Sequence, residues 1–304
     1  MDYGLSHFPT LDFGLWTMDF LTCRLWTLDF GLSHFPASNF PFPTFQIFIY
    51  ICGMLTFFKS RPILKDLIPD NYIDIHSHLL PGIDDGAQKI NDTINLITAI
   101  KKIGIAQCIT TPHIMQNVWE NTPKIINETL KSTIGILNNN NNNNNNSINI
   151  PLKAAAEYMM DAHFITLFQK EPLLVLKDNY VLVEMSYINP PIQLYDIVFD
   201  LQVAGYKPVL AHPERYAFFH HNFKNYEKLK HQGCLFQLNL LSTIGYYGPD
   251  VAKTAEKLLQ NGMIDFVGSD IHHQKHIEGF YKQISFKDVL PLKKAMENNQ
   301  FFKF

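Results

Sequence analysis

From residue 72 to residue 297 the chain alternates between short apolar runs and stretches in which apolar residues recur every three or four positions. The runs cover 72–76, 105–110, 152–156, 180–183, 208–211, 235–238 and 264–268. Helical periodicity follows each of them, at 92–103, 123–137, 161–169, 192–204, 223–231, 249–261 and 286–297. Runs this short and this apolar fit strands buried on both faces, and intervening helices imply parallel crossover connections. The 249–261 segment shows the logic: Val251, Ala255, Leu258 and Leu259 share one face, Pro249 opens the helix and Gly262 stops it. Gly104, Gly205 and Gly233 close three other segments in the same way. Seven successive units predict an α/β fold, with barrel or barrel-like closure favoured over an open doubly wound sheet.

Two segments break the pattern. Within residues 1–53, LSHFP recurs at Leu5 and Leu32, LDFGL at Leu11 and Leu28, and LWT-x-DF at Leu15 and Leu25. No helical or strand period spans these repeats, and Pro9, Pro36, Pro41 and Pro43 interrupt them. The segment is expected to lie outside the fold, either as an extension before a start at Met54 or as a targeting or interaction tail. The folded domain is then 54–304. Within it the asparagine run 138–146 has no apolar surface to bury and is expected to form a loop between two elements.

Charge and composition narrow the partners. A net charge of −3 and a pI near 6.5 supply no broad basic field, which argues against nucleic acid. The longest apolar run, 45–58, is shorter than the ~20 residues of a spanning helix, so no direct membrane insertion is expected. Cys23, Cys52, Cys108 and Cys234 lack paired zinc or redox spacing and suit a reducing compartment. The 13 histidines are the unusual count.

Many of these histidines stand where a parallel α/β fold places its chemistry. Run one ends in Asp74-Ile-His-Ser-His, run two leads to Thr-Thr-Pro-His113, run three reaches Glu157 and run four Glu184. Run five ends at His212, and run seven at Asp270 with His272 two residues on. C-terminal strand ends converge on one face, so these donors would meet in one bowl. Side chains two apart share a face, which pairs His76 with His78 and Asp270 with His272. Asp84 and Asp85, on the turn from Gly82 to Gly86, add a nearby carboxylate. A set of imidazoles and carboxylates without thiolate suits Mn, Fe or Zn. Several divalent ions against four carboxylates leave the bowl positive, matched to a phosphate dianion, and a water shared by two ions would attack phosphorus in line. Arg215 follows His212 by three residues; its fork fits phosphoryl oxygens, the alternative being a salt bridge to Glu214 or another carboxylate. No cysteine has an arginine six residues on, and there is neither a Gly-x-Ser-x-Gly elbow nor a nucleotide-binding phosphate loop.

Four motifs together, Asp74 through Gly86, Thr110-Thr-Pro-His113, Leu210-Ala-His-Pro-Glu-Arg-Tyr216 and Gly268-Ser-Asp-Ile-His272, resemble the polymerase and histidinol phosphatase (PHP) superfamily. The likeness is greatest to the manganese-dependent protein tyrosine phosphatases of bacterial capsule and exopolysaccharide loci. It implies a distorted seven-stranded βα-barrel holding three divalent ions, Mn by family habit. One ion is implied on His76, His78, Glu157 and Asp270; a second shares Glu157 and is completed by Glu184 and His212; the third takes Asp85, His113 and His272. Arg215 matches the arginine that assists at the phosphate. The implied substrate is the phosphotyrosine tail of a bacterial membrane tyrosine kinase, and the implied location is cytoplasmic. A small-molecule phosphatase of the histidinol phosphate type, and a noncatalytic metal-binding module, are the alternatives.

Overall fold

The structure, a computed structural model, describes residues 60–143 and 150–304, the side chains of 140–143 excepted. The repeats of 1–53 and the expected start at Met54 lie outside the described residues. By its contacts, Ser60–Phe304 is a unit of its own.

Each apolar run forms strand, and a further short strand follows just after two of them. The strands are β1 (Tyr72–Asp74), β2 (Ile105–Thr110), β3 (His113–Ile114), β4 (Leu152–Ala154), β5 (Glu157–Met159), β6 (Tyr180–Glu184), β7 (Lys207–Ala211), β8 (Leu235–Asn239) and β9 (Phe266–Gly268). Between them run α1 (Ile90–Lys102), α2 (Pro123–Asn143), α3 (Ala162–Lys170), α4 (Leu194–Val203), α5 (Ala217–His220), α6 (Lys224–His231) and α7 (Pro249–Gln260). Two more helices, α8 (Gln274–Gly279) and α9 (Leu290–Asn298), follow β9.

All strand pairings are parallel, in two sheets ordered β1-β2-β4 and β3-β5-β6-β7-β8-β9. The expected seven-stranded barrel is corrected to this arrangement: nine strands among the described residues, with no single closed ladder. The extra strands have a local cause. Pro112, which has no N–H to give a ladder, separates β2 from β3, and the partner run breaks beside it at Ala155 and Ala156, between β4 and β5. Backbone hydrogen bonds still cross that break, Ala155 N to Thr110 O at 2.9 Å and Glu157 N to Pro112 O at 3.1 Å. At the other seam a parallel bridge pairs Ser77 with Ile271.

The asparagine run also departs from expectation. Helix α2 continues through Asn143, so residues 138–143 are helical rather than loop, and 144–149 lie outside the described residues. Once a helix is nucleated each added residue costs little, and asparagine is less favourable than alanine by under ~1 kcal/mol. No helix among the described residues is long and apolar enough to cross a membrane.

Alternation along the strands divides the core in two. Ile73, Ile109, Ala155, Leu182, Val209 and Phe266 pack together in an inner cluster with Phe302, whereas Tyr72, Val181, Val183, Leu210 and Val267 face the helices. Phe302 is fully buried, its ring 4.9 Å from that of Phe266 and 5.8 Å from that of Tyr180, both edge-on.

Candidate metal centre

Following the inner face towards the C-terminal strand ends, the residues change from apolar to polar in phase. Position 109 leads by twos to His113, Ala155 to Glu157, Leu182 to Glu184, Leu235 to Gln237 and Asn239, and Phe266 to Asp270. The period-two pattern that builds the core thus also delivers these donors, whereas His76 and His78 are out of phase with Ile73 and Ile75 of the inner cluster. His212 is out of that phase and reaches the bowl because its backbone turns left-handed, at φ 37°, while Asp270 sits at φ 50°. Non-glycine residues held there cost roughly 1–3 kcal/mol each and cluster at functional sites.

All nine donors named from the sequence come together. Donor atoms within 4.8 Å of one another form the groups His78, Asp85, His113 and His272; His76, His78 and Asp270; His76, Glu157 and His212; and His113, Glu157 and Glu184. Of the set implied for the second ion, His212 and Glu184 fall in separate groups that are joined through Glu157. Glu184 Oε1 lies 2.8 Å from His113 Nδ1, whereas His212 Nε2 lies 3.0 Å from Glu157 Oε1. Glu157 remains the shared carboxylate, with Oε2 at 3.1 Å from His76 Nε2 and 3.3 Å from His113 Nδ1.

The donor set fits divalent cations. Three imidazoles have Nδ1 tied from behind: His76 to Gln237 Oε1 at 2.7 Å, His78 to Asp84 Oδ2 at 2.8 Å and His272 to the Asp270 carbonyl at 2.9 Å. Each tie leaves Nε2 as the inward donor, the usual bracing of metal-ligating histidine. Nε2 of His76 and Nε2 of His78 then lie 3.3 Å apart, converging on a common point. Buried Nδ1 atoms of His113 and His212 have no hydrogen-bond partner, and the close approach of Glu184 to His113 lacks hydrogen-bond direction. Two glycines permit the bracing. A Cβ at Gly86 would meet His78 O at 2.2 Å, and one at Gly268 would meet His76 Cβ at 2.6 Å and Gln237 Nε2 at 2.7 Å.

Without a cation, protons take its place. Burial opposes charge on His76, but Glu157 and Asp270 outweigh it and raise the imidazole pKa. His78 is raised well above its ordinary value by Asp84, Asp270 and Glu157 against the same burial, and His113 by Glu184 and Glu157. Burial would raise Glu157 and Asp270, yet the imidazoles around them hold both well below the usual carboxylate range. His212 differs: burial and the neighbouring Arg215 lower it.

Above the donors is a cavity of about 250 Å³ whose lining includes Arg215, Tyr187, Tyr247, Glu184 and His272. The carboxylate that Arg215 pairs with is Asp270, not the adjacent Glu214. Arg215 Nη1 donates to Asp270 Oδ2 at 2.8 Å, and the guanidinium carbon lies 4.7 Å from the ring centre of Tyr187 and 4.1 Å from that of Tyr247. Glu214 is buried instead against Asn239 N and Ser242 Oγ. Sequence reasoning missed Gln237, Asn239, Tyr187 and Tyr247. For the first two a signal existed, since polar residues on the inner face of the otherwise apolar run from Leu235 need buried partners. The tyrosines follow strand ends on loops and carry no comparable mark.

A family model described as "Capsular polysaccharide synthesis, CpsB/CapC" matches residues 72–280, a span that contains every donor and Arg215. The chain is 31% identical over 208 residues to the tyrosine-protein phosphatase YwqE of Bacillus subtilis, covering 67% of this chain and 78% of that one. Identity to the tyrosine-protein phosphatase CpsB of Streptococcus pneumoniae is 26% over 207 residues, 66% of this chain and 83% of that one. Among solved structures it superposes with a TM-score of 0.66 and 28% identity, over 76% of this chain and 93% of the other, on one chain from the crystal structures of YwqE from Bacillus subtilis and CpsB from Streptococcus pneumoniae, described as unique metal-dependent tyrosine phosphatases.

Proposed function

The chain belongs to the CpsB/CapC capsular polysaccharide synthesis family, and on that premise we propose that it is a metal-dependent protein tyrosine phosphatase. The observation that carries the proposal is the convergence of nine nitrogen and oxygen donors directly beneath a cavity lined by an arginine. His76, His78, Asp85, His113, Glu157, Glu184, His212, Asp270 and His272 would hold up to three divalent ions, Mn by family resemblance, with Glu157 shared. Ions held there would supply Lewis-acid charge to phosphoryl oxygens and activate water for attack at phosphorus.

The chain's own groups prepare the site for that chemistry. Arg215 would present the phosphoryl group with donors not used on Asp270, since a guanidinium carries five N–H groups and one contact occupies Nη1. Its orientation is set in advance by Asp270 and by the rings of Tyr187 and Tyr247, which lowers the ordering cost of binding. Asn239 Nδ2 donates to the same Asp270 oxygen at 2.8 Å and keeps the carboxylate in place. Hydrogen bonds across both seams support reading the two sheets as one distorted barrel of PHP type. The proposed substrate is phosphotyrosine on the tail of a bacterial membrane tyrosine kinase, met in the cytoplasm.

Hydrolysis of a phosphotyrosine peptide and of histidinol phosphate, by metal-free and Mn-reloaded protein, tests the reading. Peptide turnover that depends on Mn and exceeds that on histidinol phosphate is expected. Preference for histidinol phosphate would overturn the substrate, and no turnover of either would overturn the activity.

A further inference from the structure

The cavity beside Arg215, at about 250 Å³, has room for a phosphoryl group and part of an aryl ring. It is below the ~300–1,000 Å³ of sites that enclose a whole ligand. Residues flanking a phosphotyrosine would therefore lie outside it. A larger cavity of about 590 Å³ opens alongside, lined from α1 by Asn95, Thr98 and Lys102 and from the opposite segment by His272, His273 and Gln274. His272 and His273 line both cavities, so the two share a wall.

Its chemistry fits an extended main chain. Asn95 and Gln274 are both exposed, and among the described residues neither carboxamide makes a hydrogen bond. A carboxamide offers one donor group and one acceptor, the complement of a peptide unit. Standing on the two walls of a cleft, they can hold a polypeptide backbone without reading its side chains. The other way out of the phosphoryl cavity passes Tyr187 to Ile188 and Ile192, which are 86% and 102% exposed on a loop carrying Pro190 and Pro191. That loop also exposes the carboxamides of Asn189 and Gln193, so the choice between the two exits rests on the two-walled cavity of about 590 Å³ that adjoins the phosphoryl site.

We propose that the cleft between α1 and the 272–274 segment binds the main chain of the protein substrate next to its phosphotyrosine, through Asn95 and Gln274. The inference rests on the phosphatase reading and adds where the polypeptide lies. The test compares kcat/KM on a phosphotyrosine peptide of about ten residues with that on p-nitrophenyl phosphate, which has no main chain. In an Asn95→Ala/Gln274→Ala protein the peptide-to-aryl ratio should fall about tenfold or more, mainly through peptide KM, from two lost hydrogen bonds. An unchanged ratio overturns the proposal. So does a fall seen only in Ile188→Ser/Ile192→Ser, which would route the chain over that loop. Wild-type protein inactive on both substrates would strike the phosphatase reading itself, a result distinct from an unchanged ratio.

Discussion

Replacing Gln237 by leucine removes one acceptor from behind the metal centre and nearly preserves volume. Gln237 is fully buried, its Oε1 2.7 Å from His76 Nδ1 and its Nε2 donating to Leu238 O at 2.7 Å. The second bond fixes which way the amide points, so Oε1 must accept from Nδ1–H and Nε2 of His76 is left facing inward. Leucine would strand that buried N–H, a cost of about 1–3 kcal/mol, and free the ring to turn. Converted to affinity this is roughly 5- to 150-fold, in line with the ~10- to 100-fold typical when the brace of a metal-ligating histidine is lost. Titrating metal-free wild-type and Gln237→Leu proteins with Mn, read by calorimetry and by recovery of phosphotyrosine-peptide hydrolysis, measures it. Gln237→Glu, which keeps an acceptor, should retain much of the affinity. Were Gln237→Leu to bind Mn as wild type does, while melting lower by the same amount with and without metal, Gln237 would be a packing residue and the bracing argument would fail.

Other consequences can be read from the same geometry. Phe302→Ala empties the buried ring site beside Phe266 and Tyr180 and should cost ~3–5 kcal/mol in denaturant unfolding, with Mn affinity per folded molecule within about twofold; a selective loss of affinity would contradict the separation of core from site. In the metal-free protein His76, His78 and His113 have raised pKa values, so their stabilisation is complete below about pH 6.5 and is lost as pH rises through the folded values. Glu214, raised by burial to about 7, adds in the same direction up to that pH, while Glu157 and Asp270, being lowered, are ionised throughout and add no slope. Metal-free unfolding free energy should therefore fall above pH 6.5, by at most ~1.4 kcal/mol per pH unit per retained proton, and Tm with it, while Mn-loaded Tm should rise as the ion displaces those protons; parallel slopes would refute this. Arg215→Lys keeps the charge but loses the fork and the stacking on Tyr187 and Tyr247, so turnover should drop ~10- to 1000-fold with Mn content preserved; full turnover would remove Arg215 from the mechanism. A chain beginning at Met54 should match full-length turnover, and its aggregation or inactivity would show that the repeats support the folded domain.

The succession of strands and the convergence of donors were legible because one signal carries both. The period-two alternation that buries Ala155 and Leu182 also places Glu157 and Glu184 at the strand ends, so counting apolar runs located the donors. What was not legible arose from backbone turns and from partners distant in sequence. Left-handed geometry at His212 turns its imidazole to Glu157, and no residue pattern encodes a single positive φ outside glycine. The pairing of Arg215 with Asp270 joins positions 55 apart in sequence, while Glu214, the adjacent carboxylate, turns away to Asn239 and Ser242. The division into nine strands follows from Pro112 and the broken partner run, details finer than an apolar run resolves. The helical asparagines of α2 reflect propagation from an established helix, which composition alone does not reveal.

The most direct test is elemental analysis of the purified full chain before and after chelation, coupled to phosphotyrosine-peptide hydrolysis on the same samples. More than one equivalent of divalent metal per chain, loss of activity with its removal and recovery on adding Mn are the predicted results. Undiminished hydrolysis by a preparation shown to be free of metal would contradict the account at its centre.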